Sequence, residues 1–187
     1  MAIHPEANGS RSIWGQAAGR PGQVIRAHPT TCVRHMDWMT WGLLPHDTAD
    51  PATAPRPIHD RAETVVEIPI FASAFRRRRA IVPASVCYQQ STIGRVDQCL
   101  VIARRDGQPM AIAGLWEAYV ALDRSIERTY CSITVEATGA VAKVHDRMPL
   151  MLDEADWPLW LGEVEGDPAR FLHPGADDKL VVHVAGN

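Results

Sequence analysis

Between residues 98 and 137 the chain strings together three apolar runs of strand length, 98-QCLVIAR-104, 110-MAIAGLWEAYV-120 and 129-TYCSITVEA-137. They are rich in β-branched and aromatic side chains and bounded by polar residues, which is the pattern of strands rather than helices. The connection 105-RDGQP-109 carries Asp-Gly, whose backbone freedom suits a hairpin turn. Further strands are expected at 22-GQVIRAH-28, 37-DWMTWGLL-44, 79-RAIVPA-84 and 179-KLVVHV-184. Helices are fewer: a short one beginning in 61-RAETVVEIPIFASAF-75, another over 138-TGAVAKVH-145, and 153-DEADWPLWLG-162, with Asp153 as cap and Gly162 as stop. Many short strands with few helices predict an α+β fold on a curved, partly closed sheet.

With 187 residues, 46% of them hydrophobic and 22% charged, the chain is expected to form a single domain over 1–187 with a sizeable core. Residues 1–19 read as a divergent, flexible N-terminal segment. That segment lacks an apolar signal region, and no window approaches the ~18 consecutive apolar residues of a membrane span, so the expectation is a soluble, cytoplasmic protein. Cys32, Cys87, Cys99 and Cys131 lie far apart with no C-x-x-C pair, which favours buried free thiols over a zinc site or disulfide framework. The net charge of −3 conceals an asymmetry: 11 Lys+Arg against 7 Asp+Glu in residues 1–95, and 8 against 15 in residues 96–187. The basic half could offer phosphate contacts and the acidic half a protein interface, but 17 of the 19 cations are arginine, which codon bias alone would explain. The loop 45-PHDTADPATAPRP-57 is long for a simple connector, as functional or disordered loops are.

One apolar run breaks the pattern. In 144-VHDRMPLML-152 three ionisable residues stand side by side, and each must find a partner or water on leaving solvent. This run is the last of several motifs that stand in order: 41-WGLLP-45, 61-RAET-64 followed by 78-RRAIVPA-84, 113-AGLWE-117 and 144-VHDRMP-149. Together they resemble the SRAP (SOS response-associated peptidase) family over about residues 20 to 185. The resemblance implies a pseudo-barrel with a few peripheral helices and a groove for single-stranded DNA. It also implies an N-terminal cysteine, exposed by loss of the initiator Met, that captures the aldehyde of an abasic site as a thiazolidine. An Asn, a Glu and the His of HDRMP would surround the captured sugar, and "peptidase" would refer to self-processing.

This chain departs from the family pattern where that chemistry sits. Ala2 stands in MAIH in place of cysteine; 58-IHDRAET-64 puts Asp60 where the pattern has Asn; 83-PASVCYQQ-90 puts Gln89 where it has Glu. His145 is unchanged and is the expected acid/base group, with a structural histidine as the alternative. Asp60, facing His145, should favour the imidazolium; a solvated loop carboxylate is the alternative. Gln89 can form hydrogen bonds but cannot exchange a proton, so hydrolytic reversal of a crosslink is not expected.

Arg61 and Arg147 match phosphate-contacting arginines, against structural pairing of Arg61 with Glu63 or Arg147 with Asp146. The run 76-RRRR-79, including Arg78, should alternate faces on a strand, partly toward DNA or simply as a charged edge. Trp41 could stack on a base and Thr134 touch DNA backbone, while Trp38, Trp116, Trp157 and Trp160 read as core or rim residues and Glu117 as structural. No cofactor is expected, and His59, Asp60 and His145 do not form a recognised metal pattern.

The leading expectation is a protein that binds single-stranded or abasic DNA with a degenerate catalytic apparatus. One alternative is Schiff-base and lyase chemistry through the Ala2 amine after loss of Met1. The other is a non-enzymatic interaction module.

Overall fold

The computed structural model describes residues 2–4, 19–93, 96–175 and 179–185. In chain order these form β1 (Ala2–His4), β2 (Pro21–Ala27), β3 (Arg34–Trp41), β4 (His59–Arg61), α1 (Pro69–Arg77), β5 (Arg79–Ala84) and β6 (Val86–Ile93). Then follow β7 (Val96–Arg104), β8 (Met110–Val120), β9 (Ile126–Glu136), β10 (Arg147–Pro149), α2 (Trp157–Leu161) and β11 (Leu180–Val184). Apart from residues 2–4 and 19, the expected N-terminal segment lies outside the described residues.

The strands β9, β3, β2, β5 and β8 pair in that order, and β8 pairs again with β9, so five strands close on themselves. Closure explains why β8 is so apolar: it lies between β5 and β9, and its first eight residues are all buried. Gly114 sits where these strands approach most closely; a Cβ there would stand 2.9 Å from the Cys131 carbonyl oxygen and 2.9 Å from Val82 Cγ2. The barrel is mixed, because β3 and β9 run parallel, from Thr40↔Thr129 to Trp41↔Tyr130. A second sheet, in the order β1-β6-β7-β11, is antiparallel throughout. This is the α+β pseudo-barrel that the strand-rich sequence and its motifs imply.

The interior is filled by Val24, Met39, Leu115, Ile133 and Val135, with α2 delivering Trp160, whose Nε1 donates to the Ala80 carbonyl at 2.8 Å. The helices differ from expectation. Residues 61–68 form turns and α1 begins only at Pro69, because proline suits the first helical turn, where its missing N–H costs nothing. The arginine run is therefore not a strand edge: Arg76 and Arg77 end α1, where cations complement the helix dipole, Arg78 caps it, and Arg79 opens β5. Residues 138–145 shrink to a single 3-10 turn at Val141–Lys143. The last helix starts late, at Trp157 with Pro158 next to it, and stops at Gly162 with φ 80°, as its sequence predicts. Trp38 is no core residue: it is 63% exposed on the outer face of β3, beside Met36. No helix among the described residues is long and apolar enough to cross a membrane.

Candidate functional site

The site grows from the far half of β9. Up to Ser132 this strand is a barrel stave paired with β8; beyond it, new partners take over. On one edge β4 runs parallel to it, with Asp60↔Ile133 and Arg61↔Thr134; on the other β10 runs antiparallel, with Arg147↔Glu136 and Pro149↔Thr134. Thr134 fastens both: its Oγ1 donates to the Asp60 carbonyl at 3.0 Å, and its carbonyl accepts from Arg147 Nη2 at 2.7 Å. From the second sheet, β6 brings Gln89, and Ser91 Oγ donates to the Val144 carbonyl at 2.8 Å, which ties that strand to the residue before His145. The result is a cavity of about 370 Å³ lined by His59, Asp60, Arg61, Thr64, Ile68, Gln89, Thr134, His145 and Arg147.

Asp60 is 5% exposed and belongs to a strand, so it is not a solvated loop carboxylate. Its Oδ1 accepts from the Arg61 N–H at 2.7 Å, while Oδ2 is buried without a hydrogen-bond partner among the described residues. Burial pushes this carboxyl up to about 6; the Arg61 N–H opposes the rise and the Glu63 carboxylate adds to it. Desolvation, rather than the expected attraction to His145, sets its behaviour. Gln89, 9% exposed, donates through Nε2 to the Gln90 carbonyl at 2.8 Å and leaves Oε1 buried and unpaired. His145 Nδ1 lies 2.9 Å from the Arg147 backbone N–H, which it can accept, and 3.3 Å from Asp146 Oδ1. That leaves Nε2 for a ligand.

The two arginines divide. Arg147 forms a two-pronged ion pair with Glu63, at 2.9 and 2.8 Å, not with Asp146. Arg147 in turn holds the Glu63 carboxyl below the usual range. Arg61 is exposed and forms no salt bridge among the described residues, Glu63 being taken by Arg147.

Two residues expected at a DNA surface lie elsewhere. Trp41 is 1% exposed, its Nε1 donates to the Ile58 carbonyl at 2.9 Å, and its ring packs against Tyr130 and the edge of His59, so no face is free for a base. Arg78 sits outside the cavity, bonded through Nη2 to the buried Glu117 at 2.6 Å and to Ser73 at 2.9 Å. Ala2 pairs in register with Tyr88, so the backbone at position 2 runs beside the strand that carries Gln89.

Sequence reasoning gave no site role to His59, Thr64, Ile68 or Glu63. The signal available for three of them was proximity: they fall within or beside the RAET motif that turns around Asp60. His59 lies 2.6 Å from Ser132 Oγ through Nδ1 and supports the cavity wall. The thiols do not supply a nucleophile here. Cys87 and Cys131 are fully buried, and burial pushes the Cys87 thiol up to about 12, while Cys32, contrary to expectation, is exposed. No three of His, Cys, Asp and Glu converge as a metal site among the described residues.

A family model described as SOS response associated peptidase (SRAP) matches residues 3–185. The chain is 29% identical over 152 residues to the abasic site processing protein YobE of Bacillus subtilis (strain 168), covering 79% of this chain and 69% of that one. It is 28% identical over 140 residues to the abasic site processing protein YedK of Escherichia coli (strain K12), covering 74% and 60%. A crystal structure of a protein from Bordetella bronchiseptica superposes with a TM-score of 0.78 at 25% identity, over 100% of this chain and 92% of the other. One from Bacteroides thetaiotaomicron has a TM-score of 0.78 at 22% identity, over 90% and 75%, and shares the fold.

Proposed function

Since the chain belongs to the SOS response associated peptidase (SRAP) family, we propose that its cavity receives the sugar of an abasic site in single-stranded DNA. The observation that carries this reading is the division of the cavity lining into acceptors and cations. Asp60 Oδ2 and Gln89 Oε1 are unpaired acceptors that suit hydroxyl groups and would repel a phosphate, whereas Arg61 is exposed and suits a phosphate. A sugar flanked by phosphates matches both. The names of the relatives, abasic site processing proteins, point the same way.

Stable capture as a thiazolidine needs an amine and a thiol on adjacent carbons, and none of the described residues that line the cavity is a cysteine. We therefore read the protein as one that binds and senses the lesion without fixing it covalently. A second reading is favoured by the pairing of Ala2 with Tyr88, beside Gln89. Once Met1 is removed, the Ala2 amine could condense with the ring-opened aldehyde as a reversible Schiff base, and β-elimination would then nick the strand.

The test is incubation with a single-stranded oligonucleotide carrying one abasic site, with and without borohydride, beside an intact strand. The binding reading expects salt-dependent affinity and no adduct that survives denaturation without reductant. An adduct only with borohydride supports the Schiff base, and no binding at low salt refutes both.

A further inference from the structure

The strand β10 walls two cavities. Arg147 turns toward the one that holds Asp60 and His145, while its neighbour Met148, on the opposite face of the strand, turns into another of about 260 Å³. This second cavity lies between β10 and the residues after it, the 3-10 turn at Pro168–Phe171 and the start of β11. Its floor is apolar: Met148, Leu150 and Leu180 are 6%, 2% and 7% exposed, and Met151 and Phe171 complete it. Two thioethers and a phenyl ring make a polarizable surface that adapts to the shape laid on it. Thr138 Oγ1 donates to Met148 Sδ at 3.8 Å, and Phe171 packs edge-on against Trp160, so the floor is braced from the barrel side.

The rim is polar and unequal in charge. The Asp156 carboxylate lines it and forms no hydrogen bond or ion pair among the described residues. Asp153 accepts from Lys179 Nζ through both oxygens, so the ammonium on the rim already has its counter-ion. His173 Nδ1 lies 2.9 Å from the Pro174 carbonyl, which can only accept, so Nδ1 carries the proton and Nε2 is an acceptor. Arg170, whose guanidinium lies 5.3 Å from the Phe171 ring centroid, is not part of the lining. The described rim therefore offers two carboxylates and an imidazole nitrogen against one ammonium that is already paired.

We propose that this cavity is a binding site for a small organic cation, an ammonium or guanidinium group carried on an apolar body. The cationic group pairs with Asp156 and donates to His173 Nε2; the body rests on Met148, Met151 and Phe171. An anion would meet two carboxylates, and a neutral apolar molecule would cover the Asp156 carboxylate without pairing it, which costs free energy. A cation on an apolar body satisfies the rim and the floor together. The volume falls just short of the ~300–1,000 Å³ of sites for drug-sized molecules, so the body is about one ring with a short arm. Because β10 separates the two cavities, the proposal stands apart from the sugar-site reading.

The test is a titration of the whole chain, with isotope-labelled methionine methyl groups, by phenethylammonium, phenylethanol and phenylpropionate in turn at constant ionic strength. The three probes keep the ring and change the charge. The methyl signals of Met148 and Met151, assigned with Met148→Leu and Met151→Leu, should shift and saturate at millimolar phenethylammonium, while those of Met36 and Met39 stay in place. Phenylpropionate should bind about tenfold more weakly or worse, and Asp156→Asn should weaken phenethylammonium by about tenfold, the worth of one charge-assisted hydrogen bond. Unchanged signals from Met36 and Met39 show that the variant is folded. Unmoved Met148 and Met151 methyls, equal affinity for the three probes, or undiminished affinity in folded Asp156→Asn each overturns the proposal.

Discussion

Replacing Asp60 with asparagine should change how the protein's stability depends on pH. The folded carboxyl holds its proton more tightly than the unfolded one, from an ordinary 3.8 up to about 6, because it is buried. Folding is therefore penalised in full above about 6, and the penalty fades as pH falls toward 3.8. At about 1.4 kcal/mol per pH unit the full penalty is roughly 3 kcal/mol, of which roughly 2 kcal/mol is released between pH 8 and pH 4.5. Asparagine keeps the bond from the Arg61 N–H through its own oxygen, and whatever its amide group costs at the Oδ2 position is the same at every pH. The stability difference between Asp60→Asn and wild type should thus move in the variant's favour by roughly 2 kcal/mol from pH 4.5 to pH 8, or roughly 4–8 °C in Tm for a chain of this size. Urea denaturation of both proteins at the two pH values measures it. Parallel pH dependences for variant and wild type would refute the reasoning, since they would mean that this carboxyl titrates alike folded and unfolded.

The ion pair between Arg78 and Glu117 lies in the barrel wall, so Arg78→Met should cost about 3–5 kcal/mol in chemical denaturation by leaving Glu117, 1% exposed, without its guanidinium partner. Trp41→Ala should destabilise by about 3–5 kcal/mol through the cavity it leaves. At a temperature where both are folded, its affinity for single-stranded DNA should match wild type in a filter-binding titration. Arg61→Ala should weaken that affinity and lower the slope of log K against log salt by about 0.7, the share of one phosphate on a single strand. Glu63→Gln should change stability by about 1 kcal/mol or less, because the Glu63 end of the pair is half exposed, while releasing Arg147 and strengthening DNA binding at low salt in the same titration.

What the sequence made legible was what depends on local pattern. The β8 and β9 runs are apolar because most of their residues are buried on both faces, and runs of that length between turn residues read as strands. HDRMP and RAET could be placed at one site because they match a family pattern in order. What stayed hidden depends on tertiary partners. Nothing in 61-RAET-64 says that Glu63 will turn to meet Arg147, a residue 84 positions on. The motif that contains Trp41 suggests a surface role, yet that tryptophan is buried between Tyr130 and His59. The arginine run could not be apportioned between helix end and strand start without knowing that Pro69 opens α1. The carboxyl of Asp60 reads as solvated until β4 is seen docked against β9.

That docking ties the timing of folding to the making of the site. The strand β9 gives its first half to the barrel and its second half to β4 and β10, and Asp60 lies 74 residues before the Thr134 that holds it. Both β4 and β10 are strands of three residues that hold few rungs of their own, so the barrel staves should be in place before they dock. The reverse order should appear in native-state hydrogen exchange. The amides of Ala62 and Ala137, which bond to Thr134 and Asp146, would open in brief local excursions, while those of Leu115 and Cys131 open only when the whole molecule unfolds. A sugar that binds across β4 and β6 would slow the first class and leave the second untouched, giving a readout of occupancy that requires no chemistry at all.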